Sequence, residues 1–334
     1  MAKKMLKAAI LGFGGMGHCH ASQYGEQKDV KLVAVCDIDP TKFKMDNVEI
    51  NFGNSGKADV NALRCYECYE DLIKGEPDLD YIDICLPSDL HCEYSCRAMK
   101  DGFNVLCEKP MALNVKDCDK MIKTSYDTGK LLMIAQCLRF DEGFNAIRKA
   151  YESGKYGKLL RFSLKRMGGF PGGWFRDVKR SGGALMDLHI HDVDFILSML
   201  GTPDSLTARG VVVVVKSGGV DDLGANFIYK DGPVVAAESS WFRASWQCGM
   251  SAIFEEATVE VMGGNITVYQ VDKKKKETKI KGKNCYFNEI AYFAKCVKSG
   301  KRPEIAAIES TRDTIRVLEL ETKSALADGK IIKL

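Results

Sequence analysis

The sequence predicts an α/β protein in two parts. A doubly wound parallel sheet of the Rossmann type occupies residues 1–135, and a second α/β domain with a large, mostly antiparallel sheet occupies 136–334. Three observations predict this. Short apolar runs alternate with helical patterns through the first part, as they do in parallel sheets. A G-x-G-x-x-G turn joins the first strand signal to the first helix signal. In the last third, strand signals follow one another across Gly and Asp turns with few helices between them. At 334 residues the chain has room for about two domains.

Taken in order, 7–11 reads as a strand, 16–27 as a helix and 30–36 as a β-rich strand ended by Asp39-Pro40. The polar stretch 47–59 gives no assignment. A short helix is expected at 70–74, a strand at 81–86 stopped by Pro87, a helix at 89–101 and a strand at 104–107. A helix at 115–128 closes at Gly129, and a strand follows at 131–136. In the second part, 145–153 is helical, 159–167 is a strand, 168–183 is a glycine-rich loop and 184–200 has helical period. Strand signals then run at 205–215, 223–229, 234–241, 250–254, 258–262 and 265–269. Helices at 287–299 and 309–328 close the chain. The four lysines 273–276 read as a solvated hairpin tip.

Composition excludes several roles. A net charge of +3 offers no basic field for nucleic acid. The longest uncharged stretch, 8–25, holds five glycines and two histidines, so no membrane span is expected. The expectation is a cytoplasmic protein, with its 13 cysteines acting mainly as buried thiols and Cys65/Cys68 as a structural pair.

Gly12, Phe13, Gly14, Gly15, Met16 and Gly17 form the glycine motif in the context it requires. The first glycine permits the turn, the second lets the backbone approach a pyrophosphate, and the third packs helix on strand. The helix N-terminus then presents N–H groups to phosphate. Asp37, with Ile38 after it, lies 20 positions beyond Gly17 at the end of the second strand. A carboxylate there accepts hydrogen bonds from a ribose and repels a 2′-phosphate, so NAD is favoured over NADP.

Two further constellations carry chemistry. Cys107-Glu108-Lys109-Pro110 stands at the carboxyl end of a strand, where ligands bind in such folds. In the 181–194 segment, Asp187 and His191 are four apart and share a helix face, while His189 points about 200° away. An acid and a histidine on one face suit proton transfer. The H-x-H spacing splays His189 from His191 and argues against a shared metal ion, so no metal is expected.

These residues together resemble the glucose–fructose oxidoreductase / inositol dehydrogenase (Gfo/Idh/MocA) family. The resemblance rests on G-F-G-G-M-G-H-C-H from Gly12, V-A-V-C-D from Val33, L-P-S-D-L-H from Leu86, C-E-K-P from Cys107, L-R-F from Leu138 and the D-x-x-x-H motif at Asp187. It implies a Rossmann domain, an open sheet in the second domain, a homodimer or homotetramer, and a sugar or polyol substrate. It also implies that Lys109, Asp187 and His191 are catalytic. Leu86, Pro87, His91, Glu108 and Gln136 join the cofactor side, and His20 is cofactor-side or structural. In the implied reaction His191 removes a hydroxyl proton as a hydride passes to NAD, and Lys109 steadies the oxygen. The aromatic loop that holds Trp174 and Arg176 is the substrate-recognition candidate. Rival expectations are a glycosidase-like or carbonyl- and imine-reducing use of NAD on the same scaffold, or a non-catalytic NAD-binding regulator.

Overall fold

In this computed structural model, residues 5–45, 49–50, 53–54, 59–214, 218–271 and 273–334 are described. The first elements are β1 (Leu6–Leu11), α1 (Gly15–Tyr24), β2 (Val30–Cys36) and a two-residue pair, β3 (Glu49–Ile50) and β4 (Gly53–Asn54). Then come β5 (Arg64–Tyr66), α2 (Tyr69–Gly75), β6 (Tyr81–Ile84), α3 (His91–Lys100), β7 (Asn104–Glu108), α4 (Val115–Thr128) and β8 (Leu132–Ala135). Six of these strands form one sheet in the order β5-β2-β1-β6-β7-β8, every pair parallel. This is the order of a dinucleotide-binding doubly wound sheet, with its reversal between β1 and β6. The central strands are mostly apolar and buried because helices cover both faces, Asp83 on β6 being a buried exception.

Local chemistry sets the helix ends. The Asn114 side chain accepts the Asp117 N–H at the start of α4, and Gly129, at φ +68°, closes it. The 47–59 stretch, unassigned from sequence, lies largely outside the described residues. Strand β5 had given no signal, being three residues long and partly exposed.

The second set comprises α5 (Glu142–Glu152), β9 (Leu159–Met167), a one-turn α6 (Val178–Ser181) and a π-helical turn (Leu185–His189) that runs into α7 (Ile190–Leu200). Helix α5 starts three residues before the expected 145 because Asp141 accepts the N–H groups of Gly143 and Phe144. Next come β10 (Ser205–Val211), β11 (Asp222–Ile228), β12 (Val234–Ser240), β13 (Gln247–Phe254), β14 (Ala257–Met262), β15 (Asn265–Gln270) and β16 (Lys276–Lys279). The chain ends with α8 (Cys285–Ser299), α9 (Ile308–Leu326) and β17 (Ile332–Lys333). Nine strands form the sheet β16-β15-β14-β13-β9-β12-β11-β10-β17. Its pairs are antiparallel except β9–β12. Of the lysines 273–276, Lys276 already belongs to edge strand β16.

The chain divides into two compact units, Met1–Gln136 with Tyr286–Arg312, and Cys137–Cys285 with Asp313–Leu334. The division by sequence at 135/136 placed 286–312 in the second domain; the structure assigns that segment to the first. The reason is packing. Phe293 meets the edge of Tyr81 at 5.1 Å, Gln27 donates to the Phe287 carbonyl, and Lys298 pairs with Asp29. Among the described residues no helix is long and apolar enough to cross a membrane. The thirteen cysteines are free and most are buried; Cys65 is exposed, and the Cys68 thiol donates to Asp71.

Candidate active site

The glycine turn is built as its residues require. Gly12 has φ +94°, and a Cβ there would lie 2.6 Å from the Cys85 carbonyl oxygen, so β1 and β6 approach only because the residue is glycine. A Cβ on Gly17 would collide with the Gly12 carbonyl. At Gly14, by contrast, a Cβ would meet nothing within 4 Å among the described residues. The turn is thus closed on the sheet side and open at its middle, with Gly15 and Met16 half-buried in the first turn of α1.

Phe13 is fully buried, and its ring lies 4.0 Å from that of His18. Its N–H donates to Asp37 Oδ2 at 2.7 Å, while Asp37 Oδ1 accepts the Asp39 N–H. The acid therefore holds the loop after β2 against the glycine turn. Ile38 beside it is 88% exposed, a flat apolar surface at the carboxyl edge. His18, without a role in the sequence reading, faces the Lys42 carbonyl at 3.0 Å through Nε2.

At the end of β7, Glu108 is buried and Lys109 half-buried. Glu108 Oε2 accepts the Lys109 N–H at 3.0 Å. The Lys109–Pro110 bond is cis. His91 is buried between the carbonyls of Pro110 and Leu86, at 2.7 and 2.8 Å, so it ties the Leu86-Pro87 turn to the Lys109 turn. Burial pushes its pKa down against the upward pull of the two carbonyls, only one of which a neutral ring can serve as donor. Gln136, at the end of β8, is 1% exposed, and neither its amide oxygen nor its nitrogen has a hydrogen-bond partner among the described residues.

His20 is the centre of a buried polar cluster. Its Nδ1 bonds Asp83 at 2.9 Å, and its Nε2 stands 3.0 Å from Glu108 Oε1 and 3.9 Å from Glu289 Oε1. Asp83 also accepts from the Tyr24 hydroxyl. Burial by itself lowers the His20 pKa, but the Asp83 charge and Cys85 outweigh it and raise it well above the ordinary value. Burial likewise works to raise Glu108, and His20 holds it down. The sequence reading missed Asp83 and Glu289; an acid inside the apolar run Tyr81-Ile82-Asp83-Ile84 was the available signal.

In the second unit, Asp187 sits on the π-helical turn, 6% exposed, and its Oδ2 accepts the Trp241 indole N–H at 3.1 Å. Sequence periodicity read 184–200 as one α-helix; the π turn is the difference, and such turns concentrate at functional positions. His191 is the second residue of α7, half-buried, with Nδ1 3.8 Å from the Cys137 thiol. His189 points elsewhere, as the helix geometry requires: it is fully buried, with Nδ1 on Ser239 and Nε2 3.2 Å from Glu321.

The other acids of the segment are engaged by arginines. Arg139 grips Asp194 with two hydrogen bonds, at 2.7 and 2.6 Å, and Thr314 donates to the same carboxylate. Arg166 pairs with Asp192 at 3.0 Å, and the exchange drives the Arg166 pKa upward despite burial. Among the described residues, the groups of side chains close enough to ligate one ion both centre on His20, not on the second histidine pair.

The expected recognition loop carries Trp174 stacked on Phe175 at 4.0 Å. Arg176 is exposed, donates to the Pro171 carbonyl and lies over the Phe170 ring. Phe170 meets the edge of Trp241 at 5.5 Å, so the loop leans on the side chain that holds Asp187. Trp241 was missed because its partner lies 54 residues away.

Known proteins share this organisation. The profile of the Gfo/Idh/MocA oxidoreductase family, NAD-binding Rossmann fold, matches residues 6–136, and that of the family's C-terminal domain matches 144–268. The chain is 32% identical over 214 residues to inositol 2-dehydrogenase of Rhizobium meliloti; the match spans 64% of this chain and 60% of that protein. It is 24% identical to myo-inositol 2-dehydrogenase of Thermotoga maritima over 98% of each chain. The aldose-aldose oxidoreductase of Caulobacter crescentus, solved with glycerol, shares the fold at a TM-score of 0.84 and 22% identity, covering 99% of this chain and 100% of that one. The two family profiles together span most of the chain, which belongs to the Gfo/Idh/MocA family of NAD-binding oxidoreductases.

Proposed function

We propose that the protein reversibly oxidises one secondary hydroxyl of a cyclic polyol or sugar with NAD, and that Lys109, Asp187 and His191 act on that hydroxyl. The observation that carries the reading is Asp187: a buried acid on a π turn, held at one oxygen by an indole N–H, four residues before a half-buried histidine. The relatives named as inositol dehydrogenases support the substrate class.

The chain's residues fit the cofactor. The open middle of the glycine turn accepts a pyrophosphate beside Gly14, with the N–H groups of α1 facing it. Each Asp37 oxygen accepts one backbone N–H and keeps lone-pair capacity for ribose hydroxyls. The buried Gln136 amide has donors and an acceptor to offer a carboxamide. When bound, NAD supplies the hydride acceptor.

The protein's own task is the proton. With Nδ1 turned to Cys137, Nε2 of His191 is assigned the substrate hydroxyl proton, and in reverse it returns that proton. The Lys109 ammonium donates to the same oxygen and stabilises the negative charge that grows there. Asp187 orients the hydroxyl or the imidazole, and Trp241 keeps Asp187 from turning away. Trp174 and Arg176 are assigned to recognition of the ring.

We further assign the protein to the cytoplasm as a homodimer or homotetramer formed on the nine-stranded sheet. In support, Ile228 and Val234 lie opposite each other on β11 and β12 and are 40% and 52% exposed, with Ile253 and Met262 on nearby strands.

A panel of inositols, sugars and glycosides, assayed with NAD and with NADP for reduced nicotinamide, tests the reading. The expected result is net NADH with at least one cyclic polyol. Turnover of a substrate without net NADH would replace simple dehydrogenation by transient oxidation. A preference for NADP would overturn the role of Asp37.

A further inference from the structure

We propose that His20 is a positioning residue for the Lys109 turn. Its ring, braced at Nδ1 by Asp83, fixes the Glu108 carboxylate through Nε2, and Glu108 in turn holds the Lys109 backbone. The inference rests on the proposed role of Lys109 but concerns a residue that touches neither substrate nor cofactor in that mechanism.

The geometry is a chain of hydrogen bonds with one ion-pair contact in it, between His20 Nε2 and Glu108 Oε1, whose alignment is not that of a hydrogen bond. The Tyr81 hydroxyl donates to Tyr24 at 3.0 Å, and Tyr24 donates to Asp83 Oδ2 at 2.8 Å. Asp83 holds His20 Nδ1 at 2.9 Å; His20 Nε2 stands 3.0 Å from Glu108 Oε1; Glu108 Oε2 accepts the Lys109 N–H at 3.0 Å. Tyr24, Tyr81, Asp83, His20 and Glu108 are each at most 5% exposed. Removed from water, a carboxylate keeps its orientation only if charged or hydrogen-bonding neighbours fix it. Glu108 has one such neighbour on each oxygen.

The placement adds a second consequence. His20 lies on α1, the helix that opens at the glycine turn, whereas Lys109 follows β7. The His20–Glu108 contact is therefore a direct link between the pyrophosphate-facing helix and the E-K-P turn. The groups facing the ring are Asp83 on β6, Cys85 just after it, Glu108, Glu289 on α8, and Tyr286, whose ring centroid is 5.9 Å away. Three of these are carboxyl groups, and Asp83 and Cys85 favour a proton on the ring among them.

The test exploits the two nitrogens separately. In His20→Gln the amide nitrogen takes the place of Nε2 and keeps a donor for Glu108. In His20→Asn it takes the place of Nδ1 and keeps a donor only for Asp83. Two readouts are followed: hydrogen exchange of the Lys109 amide by NMR, and kcat against KM with the polyol found by the screen. Positioning predicts that His20→Asn speeds Lys109 exchange and lowers kcat on the order of 10- to 100-fold with KM for NAD nearly unchanged. His20→Gln recovers about tenfold of that loss. If His20→Asn does not fold, Glu108→Gln, which retains an acceptor for Lys109, must lose less than Glu108→Ala on both readouts.

Equal losses in the Asn and Gln variants, or unchanged Lys109 exchange in His20→Asn, would overturn the proposal. So would a stoichiometric divalent ion in the purified protein that disappears in Glu289→Gln, since a cation would then be what holds Glu108. If no polyol is turned over but the exchange pattern holds, the positioning role stands and the proposed reaction falls.

Discussion

The molecule carries two H-x-H pairs, and they have opposite layouts. On α1 the first histidine, His18, caps the Lys42 carbonyl, and the second, His20, is locked among carboxylates. Across the π turn the first, His189, is locked between Ser239 and Glu321, and the second, His191, is the half-buried one. Spacing is identical, so spacing does not assign the roles. What does is the charge that each ring meets after the helix has turned it inward.

The comparison breaks most readily at the second pair. His191→Gln should lower kcat on the order of 100- to 10,000-fold with unfolding free energy near that of the wild type. His189→Ala should do the reverse: it leaves Glu321 buried without its ring and should cost about 3 kcal/mol in urea unfolding, with a much smaller effect on turnover. If His189→Ala were the variant that abolished turnover in a stable protein, the two roles would have to be exchanged.

A smaller effect sharpens the first pair. The His20 pKa in the folded protein is well above the 6.5 of a free ring, so the fold holds this proton more tightly than the unfolded chain. Its stabilisation is complete below about pH 6.5 and is lost as pH climbs through the folded pKa, at up to about 1.4 kcal/mol per pH unit. Urea midpoints between pH 6 and 9 should therefore fall in the wild type and flatten in His20→Gln. An equal slope in both proteins would place the tight proton elsewhere. Least of all, His18→Ala should cost about 1 kcal/mol, the value of one hydrogen bond, read by thermal unfolding.

Features that depend on local chemistry were legible from the residues. The Gly12 turn announces itself because a positive φ and a close neighbour both demand glycine, and Gly129 ends α4 for the same conformational reason. The distance of Asp37 from the glycine turn singled it out, and the Phe13 N–H it accepts puts it beside that turn. What escaped depends on partners distant in sequence. Asp83 meets His20 across 63 residues, and Trp241 meets Asp187 across 54. The π turn hid inside a helical period, since one widened turn leaves the apolar spacing nearly intact. The parallel β9–β12 pair in an otherwise antiparallel sheet is a product of long-range pairing, which alternation within a strand does not encode.

The discontinuity of the first unit has a consequence for synthesis. A domain usually folds once its own residues have left the ribosome. Here β1 to β8 emerge early, but Tyr286–Arg312 arrive only after the strands of the nine-stranded sheet up to β16 have been made. Until then Tyr81 lacks Phe293, and the His20 cluster lacks Glu289. The unit that carries the glycine turn is begun before the nine-stranded sheet and completed only after most of that sheet has been made.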